Sequence, residues 1–285
     1  MRSSNITVII SLLLIFMQYE SFSQTKESHC IPVRSLSEST YPFKAGESFG
    51  LTIHYKWGLV NTDLGSASVV LDSSILNGVP VFHCTATGRT YKFYDMFFKV
   101  RENFQSWFTR KDLSPMKFTR NTSEGDYSAR NYFIYKHDKV NPKIEANNYS
   151  SKKGEYSIAL PLTKCTYDIP SLFYMARNID LSKVRQGVRY PMTFVIDNDV
   201  YNVYFVYWGK MTKTVPGLGK VRTMKFSAKL LEGQVFKGDK DMLLWISDDE
   251  NRLPVYAEAS IRVGLVSLRL SSYSGLKSPF KAIVK

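Results

Sequence analysis

The residues of this chain that could do chemistry are scattered acids, serines, histidines and cysteines. The four histidines, at 29, 54, 83 and 137, form no His-x-x-x-His pair. His83 and Cys84 are neighbours on a predicted strand, so their side chains point to opposite faces and cannot bind one metal ion together. No serine stands in the Gly-x-Ser-x-Gly motif of hydrolases. We therefore predict no catalytic residue, no metal ligand and no cofactor site.

Two acidic features leave alternatives open. The run Asp248-Asp249-Glu250 could offer oxygen ligands to calcium, but it lacks the glycine and the distal glutamate of an EF-hand loop. We interpret it as a hairpin turn in which the first aspartate bonds its own backbone and Arg252 pairs locally. Glu102 or Glu258 could act in a glycosidase, because such enzymes use two carboxylates that distant positions can bring together.

Aromatic side chains are the remaining chemical signal. Phe, Tyr and Trp make up 14% of the chain. Strand interiors are naturally rich in aromatic residues, and so are cavities that hold a sugar or a lipid. The candidate ligand-lining residues are Tyr55, Trp57, Phe104, Trp107, Tyr207, Trp208 and Trp245.

These residues lie in segments where apolar and polar side chains alternate, which is typical of half-buried strands. The clearest case is 49–57, in which every second residue is apolar or aromatic. Turn signals such as Asn77-Gly78 and Pro216-Gly217 separate many of the segments. We predict strands at about 49–57, 64–76, 79–90, 98–110, 115–123, 126–137, 151–159, 189–197, 200–208, 219–230, 243–247, 253–260 and 263–272.

One segment departs from this alternation. Asp168 can cap a helix, Pro170 suits a first helical turn, and the residues that follow supply an apolar stripe. We predict a single short helix at about 169–179 that covers an open side of the sheet. The predicted fold is all-β and mainly antiparallel, with a strongly curved sheet that forms a half-barrel or barrel-like structure.

The start of the chain is typical of export. Residues 1–23 combine Arg2, an apolar run too short to span a bilayer, and small residues before Gln24, so we predict a signal peptide. Cys30 lies too far beyond the run for a lipoprotein. We expect a polar, poorly ordered leader at 24–42, a single β-rich domain at 43–285 and no transmembrane span after cleavage. The protein is predicted to be periplasmic or associated with the cell envelope.

The net charge of the chain limits the classes of binding partner that we expect. The formal net charge is +13 but the basic clusters are short, which argues against a nucleic-acid partner. Outside the cytoplasm the acidic partners are lipids, lipopolysaccharide or anionic glycans.

Three cysteines leave at least one unpaired. Cys84 is predicted to be buried, and a disulfide between Cys30 and Cys165 is one of the open pairings.

Four stretches carry a resemblance to a known family: FKAGESFGLTIHYKWG from Phe43, YDIPSLFYMAR from Tyr167, VPGLG from Val215 and LWISDDENRLPV from Leu244. In order and spacing the chain resembles the exported bacterial family catalogued as domain of unknown function 3108. In the family a proline directly follows the aspartate, whereas here Ile169 stands between Asp168 and Pro170. This difference shifts the expected helix start by a residue or two. The resemblance implies an exported protein with a curved antiparallel sheet, and it implies no activity and no catalytic residues.

The leading functional prediction is a non-enzymatic envelope protein that binds or carries a lipid, a glycolipid or an envelope glycan in a β-lined cavity. The alternative is a structural or protein-interaction component of the envelope whose exposed sheet edge pairs with a partner. A hydrolase is the third and least favoured prediction. A continuous apolar cavity would favour the carrier, and an interior filled with side chains would favour the alternative.

Overall fold

The computed structural model describes residues 30–229, 241–261 and 263–284, and the predicted signal peptide lies outside the described residues. Fifteen strands form one sheet that is not closed, so the predicted antiparallel half-barrel is confirmed. The strands are β1 (Glu47–Trp57), β2 (Val60–Leu76), β3 (Val79–Thr90), β4 (Val100–Thr109), β5 (Pro115–Glu124), β6 (Tyr127–Lys136), β7 (Lys143–Ser150), β8 (Gly154–Pro161), β9 (Thr166–Tyr167), β10 (Arg189–Ile196), β11 (Asp199–Val215), β12 (Gly219–Ala228), β13 (Met242–Ser247), β14 (Pro254–Ser260) and β15 (Leu265–Ser274).

The order of strands in the sheet is β8-β7-β6-β5-β4-β3-β2-β1-β15-β14-β13-β12-β11-β10-β9. Neighbours are antiparallel except β9 and β10, which are parallel. Short connections produce this meander, and β1 and β15 join the two halves of the chain at the centre. We call strands β2–β8 the first flank of the sheet and strands β9–β14 the second flank. The sheet curls so that the β10–β11 turn contacts the first flank, where Tyr156 donates a hydrogen bond to Asn198 at 2.5 Å. Strand β8 remains as an exposed edge.

Three corrections concern the strands. Residues 143–150, which were assigned to no strand, form β7, and the strand predicted at 151–159 is β8 at Gly154–Pro161. The strand predicted at 200–208 is β11, which continues to Val215. Ile144 and Ala146 face inward in β7, but the polar pair Asn147-Asn148 hides this alternation in the sequence. Asn148 is buried because its side-chain oxygen accepts a hydrogen bond from Asn131 at 2.8 Å.

The predicted single helix is wrong in number and length. A one-turn helix, α1 (Lys92–Asp95), precedes it, and α2 covers Ile169–Ala176 rather than 169–179. The start of α2 is as predicted, with an Asp168 capping box. The helix ends early because the N–H groups of Asn178 and Ile179 bond three residues back, and a 3₁₀ turn follows at Leu181–Lys183.

The described part of the predicted leader, residues 30–42, is not a free segment. Ile31 and Tyr41 are buried, and Val33 forms a β-bridge with Ile179. A disulfide joins Cys30 to Cys165, and their Cα atoms are 5.1 Å apart. The leader is therefore tied to the fold by a covalent bond and by core contacts, which its polar composition did not indicate.

The concave side of the sheet is filled by packed side chains. Helix α2 lies there, and Tyr174 contacts the rings of Phe43 and Phe108 with centroids 4.7 and 5.6 Å away. A second cluster, around Phe118 and Phe133, packs the first flank against β10 and β11. Such packing stabilises the fold through buried apolar area. The described residues include no helix long and apolar enough to cross a membrane.

Candidate functional site

A cluster of buried charges lies where the two flanks of the sheet meet. Arg120 of β5 donates to Asp197 of the β10–β11 turn at 3.0 Å, and its Nε lies 3.6 Å from Glu102 of β4. Burial raises the pKa of Glu102 to about 9 and that of Glu124 to about 7. Glu102 is therefore protonated at neutral pH, which limits the number of unpaired charges in the interior. Phe104 lies under the guanidinium of Arg120.

A second buried pair fixes helix α2 to the centre of the sheet. Arg177 forms a two-pronged ion pair with Glu47 of β1 and donates to the carbonyl of Asn251 at 2.6 Å. The guanidinium also lies over the ring of Phe43. Tyr174 is buried beside the same glutamate. One arginine thus joins β1, α2 and the β13–β14 turn.

A third buried group caps the same helix. Asp168 accepts hydrogen bonds from the Ser171 amide at 2.9 Å, from Ser106 at 2.9 Å and from Tyr135 at 3.2 Å. Burial raises the pKa of Asp168 to about 6, and these hydrogen bonds oppose the rise. All three clusters are enclosed by core side chains, so we assign them a role in the stability of the fold. The candidate site lies on the outer surface.

The outer surface of β10–β15 carries an open trough of about 580 Å³. We call it the outer trough. Its lining includes two large aromatic side chains, two cations and two carboxylates. These are Tyr204, Trp208, Arg189, Lys225, Asp241 and Glu258. Its volume lies in the range of about 300–1,000 Å³ that is usual for small-ligand sites.

A β-bulge aims Trp208 into the trough. The pairing of β11 with β12 shifts register between Tyr207 and Gly209, so Trp208 has no paired residue on β12. Bulges often re-aim a side chain next to a functional site. Gly209 has a φ of 99°, which other residues rarely adopt, and a Cβ atom there would meet Gln186 at 2.7 Å.

Hydrogen bonds hold the Trp208 ring in place while leaving 49% of the residue exposed. The indole N–H donates to Ser227 at 3.0 Å, and Ser227 donates to Asp241 at 3.3 Å. Tyr204 donates to the other oxygen of Asp241 at 3.2 Å, and Arg189 lies over its ring. Burial and the nearby Asp241 raise the pKa of Tyr204, which keeps this hydroxyl protonated. The exposed face of Trp208 is thus pre-positioned.

The trough continues towards a second tryptophan. Lys225 lies over the ring of Trp245 with its Nζ 5.4 Å from the centroid, and Lys213 lies over the same ring at 4.0 Å. Trp245 is buried, so these lysines cover it. The surface beside Trp208 therefore offers a flat apolar face, fixed hydrogen-bond acceptors, the exposed Arg189 and the half-buried Lys225 within one depression.

The seven residues predicted to line a ligand site are spread over the molecule. Adjacent residues of a strand point to opposite faces, so Tyr207 packs in the core while Trp208 faces the trough. Tyr55 is buried and donates to the carbonyl of Val263 at 2.9 Å. Trp57 is exposed at the tip of the β1–β2 hairpin.

The remaining members of this set lie elsewhere. Phe104 is inside the first flank, and Trp107 is on the outer face of that flank, stacked on His83 with centroids 4.3 Å apart. Of the seven, Trp208 and Trp245 share the neighbour Lys225 at the outer trough. Contact of any of the seven with a ligand stays a prediction.

The groups considered for hydrolysis do not converge. Glu102 lies in the interior, whereas Glu258 lies in the outer trough. His54 pairs with Asp63 on β1 and β2, and His83 is on β3. Among the described residues no group of three or more His, Cys, Asp or Glu could hold a metal ion.

The acidic run after β13 is a turn, as interpreted from the sequence, but the residues that bond differ from those expected. It is Asp249, not Asp248, that accepts from backbone N–H groups, those of Asn251 and Arg252. Asp248 pairs with Lys210 at 2.9 Å. The local pairing predicted for Arg252 is wrong, because its guanidinium donates to backbone carbonyls at the end of α2.

A protein family described as "Protein of unknown function (DUF3108)" matches residues 51–271. The chain belongs to this family. The resemblance drawn from the sequence is thereby confirmed. In this DUF3108 protein, the quoted stretches supply buried structural residues, namely Glu47, Asp168, Arg177 and Asn251, rather than the lining of the trough.

Among the solved structures that match is the β-barrel-like protein of the domain of unknown function DUF1849 from Brucella abortus, which aligns with a TM-score of 0.52 and 9% identity, over 83% of this chain and 100% of that chain. At this identity the likeness concerns the fold alone. No curated protein matches the DUF3108 chain.

Sequence reasoning missed most of the trough. Arg189, Tyr204, Lys225 and Asp241 come from different strands, and nothing in their local sequence links them. The one available signal is the alternation in β11, which places Tyr204 and Trp208 on the face opposite the buried Tyr207. That pattern identifies the face but not the neighbouring strands.

Proposed function

We propose that this protein is an exported, non-enzymatic envelope protein that binds a negatively charged glycan in the outer trough. The supporting observation is Trp208, half-exposed and fixed through Ser227 and Asp241 on the wall of a depression that also holds two cations. The ligand sits on the outer face in this proposal, because packed side chains occupy the concave side where a carrier cavity was expected.

Each part of the trough suits one part of such a ligand. The flat face of Trp208 can pack against the C–H face of a sugar ring. Asp241 and Glu258 are acceptors for sugar hydroxyls. Arg189 and Lys225 can pair with a carboxylate or phosphate substituent, and charge-assisted hydrogen bonds of this kind are the strong ones.

The test is binding of the mature, disulfide-bonded protein to an array of bacterial envelope oligosaccharides. We expect binding to an anionic glycan that Trp208→Ala lowers by about tenfold or more, in line with roughly 1–3 kcal/mol for the loss of one aromatic stacking partner. Trp107→Ala is the matched control, because Trp107 is a partly exposed tryptophan on the opposite flank. Binding that both variants lose equally, or binding to no glycan, would contradict the proposal. Cleavage of the bound glycan would instead support the hydrolase.

A second candidate, a protein-interaction role, is supported by the side chains that fill the concave side, which is the outcome expected for this alternative, and by the exposed edge strand β8. Six of its eight residues are exposed, and the sheet has no further strand beyond it. Such edges accept an extended segment of a partner. Ser157→Pro would block a backbone N–H in the middle of β8, so it should abolish capture of a partner that crosslinks to this edge, whereas Lys139→Pro, in the exposed β6–β7 connection, should not.

A further inference from the structure

One end of the sheet carries apolar side chains that no part of the described chain covers. The β1–β2 hairpin and the β3–β4 connection, which contains α1, form two neighbouring tips at this end. We call their exposed apolar residues the rim. They are Trp57, Leu59, Val60, Phe93, Met96 and Phe97. Leu59 and Met96 are the most exposed, at 104% and 73%.

The two tips are held side by side by bonds beneath the rim. The Tyr91 amide donates to the carbonyl of Leu64 at 2.9 Å, and the hydroxyls of Tyr94 and Thr62 are 2.5 Å apart. Tyr94 also packs on the cluster around Tyr55 at this end of the core. Because the base of the rim is fixed, its apolar side chains are presented to the outside.

The charges beside the rim are mostly positive. Lys56, Lys92 and Lys99 are exposed and form no ion pair within the described part of the chain. Two nearby acids are neutralised locally, since Asp95 pairs with Arg101 and Asp63 pairs with Arg269, whereas Asp126 in the β5–β6 turn beside Lys99 is exposed. The pKa of Asp95 is lowered to about 2, mainly by its hydrogen bond to Arg101, which keeps this pair charged.

We propose that the rim docks this protein on an anionic lipid surface. Exposed aromatic and aliphatic residues next to lysines are the composition of interfacial membrane anchors, in which the rings enter the acyl boundary and the lysines contact lipid phosphates. The outer trough lies beside the rim, because Leu265 of the trough pairs with Lys56 of β1. Docking would bring the trough to the headgroup layer, but it does not depend on glycan binding.

The experiment uses the mature protein and sugar-free vesicles of phosphatidylcholine, with and without about a third phosphatidylglycerol. We expect co-sedimentation with the anionic vesicles only, weakened by salt. Phe93→Ser with Phe97→Ser should lower the partition coefficient by at least about tenfold, from the apolar area lost. Lys92→Gln with Lys99→Gln should lower it by roughly twenty-five-fold, at about fivefold for each lysine near an anionic surface.

Matched controls lie at the other end of the sheet. Ile75 near the end of β2 and Val140 in the β6–β7 connection are exposed at 72% and 97% at that end, so Ile75→Ser with Val140→Ser should leave partitioning unchanged. Brominated lipids should quench fluorescence from Trp57, and Trp57→Phe should remove that part of the quenching. All variants should keep the wild-type melting temperature.

Several results would overturn the proposal. They are equal binding to neutral and anionic vesicles, no vesicle binding, and binding that the Phe93→Ser, Phe97→Ser variant retains. A wild-type dimer that this variant converts to a monomer would show that the rim is covered by a second copy of the chain instead.

Discussion

Replacing Glu102 by glutamine should change how the stability of this protein depends on pH. Burial raises the pKa of Glu102 from its ordinary value of 4.5 to about 9, so the folded protein holds a proton that the unfolded chain releases above pH 4.5. The wild-type free energy of unfolding therefore falls as pH rises through this interval. Glutamine resembles the protonated form and removes this contribution.

The size of the pH effect on the free energy of unfolding follows from the one proton that Glu102 holds in the folded protein. Between about pH 5 and pH 7, each pH unit changes the free energy of unfolding by about 1.4 kcal/mol for a proton that the folded state holds and the unfolded state has released. Glu102→Gln should therefore gain about 3 kcal/mol relative to wild type on going from pH 4.5 to pH 7. This difference requires that the folded-state pKa of Glu102 exceeds 7 and that Glu124, which titrates together with Glu102, binds the same number of protons in both proteins. Contributions from the histidines cancel, because both proteins share them.

The assay is urea unfolding followed by tryptophan fluorescence at several pH values from 4.5 to 8 under non-reducing conditions. Glu155→Gln is the matched control, since it removes one carboxyl group from the exposed strand β8. A constant difference between Glu102→Gln and wild type at every pH would refute the assignment of a proton to Glu102. So would a difference that favours wild type as pH rises.

Three further predictions concern the core. Arg177→Met should lower the free energy of unfolding by about 3–5 kcal/mol, because it leaves Glu47 charged and buried, and adding Glu47→Gln should restore part of this loss in urea unfolding. Cys165→Ser opens a disulfide across 135 residues and should cost up to about 5 kcal/mol, measured by the same assay with and without reductant. Burial raises the pKa of the Cys84 thiol, so mass spectrometry should find it unalkylated by iodoacetamide in the folded protein and alkylated in urea.

Much of the sheet could be predicted because its physical signal is local. In β1, the residues Phe49, Ile53 and Tyr55 are buried on one face, as their alternation indicated. The start of α2 was equally local, since Asp168 and Pro170 are capping signals within one turn. Strand β7 was missed because its buried Asn148 is stabilised by a partner on another strand.

The candidate site could not be predicted for a different reason. Trp208 was singled out, but grouping it with Tyr207 ignored the alternation of strand faces. The trough takes Arg189, Lys225 and Asp241 from strands whose adjacency depends on the order of the whole sheet. The Cys30–Cys165 pairing is non-local in the same way.

Amide chemical shifts of the ¹⁵N-labelled mature protein, titrated with a pool of oligosaccharides released from bacterial envelopes, test glycan binding in the trough most directly. The proposal predicts concentration-dependent shifts centred on Trp208, including its indole N–H, and on Lys225 and Glu258. Shifts confined to the opposite flank around Trp107, or no shift at millimolar sugar, would contradict it.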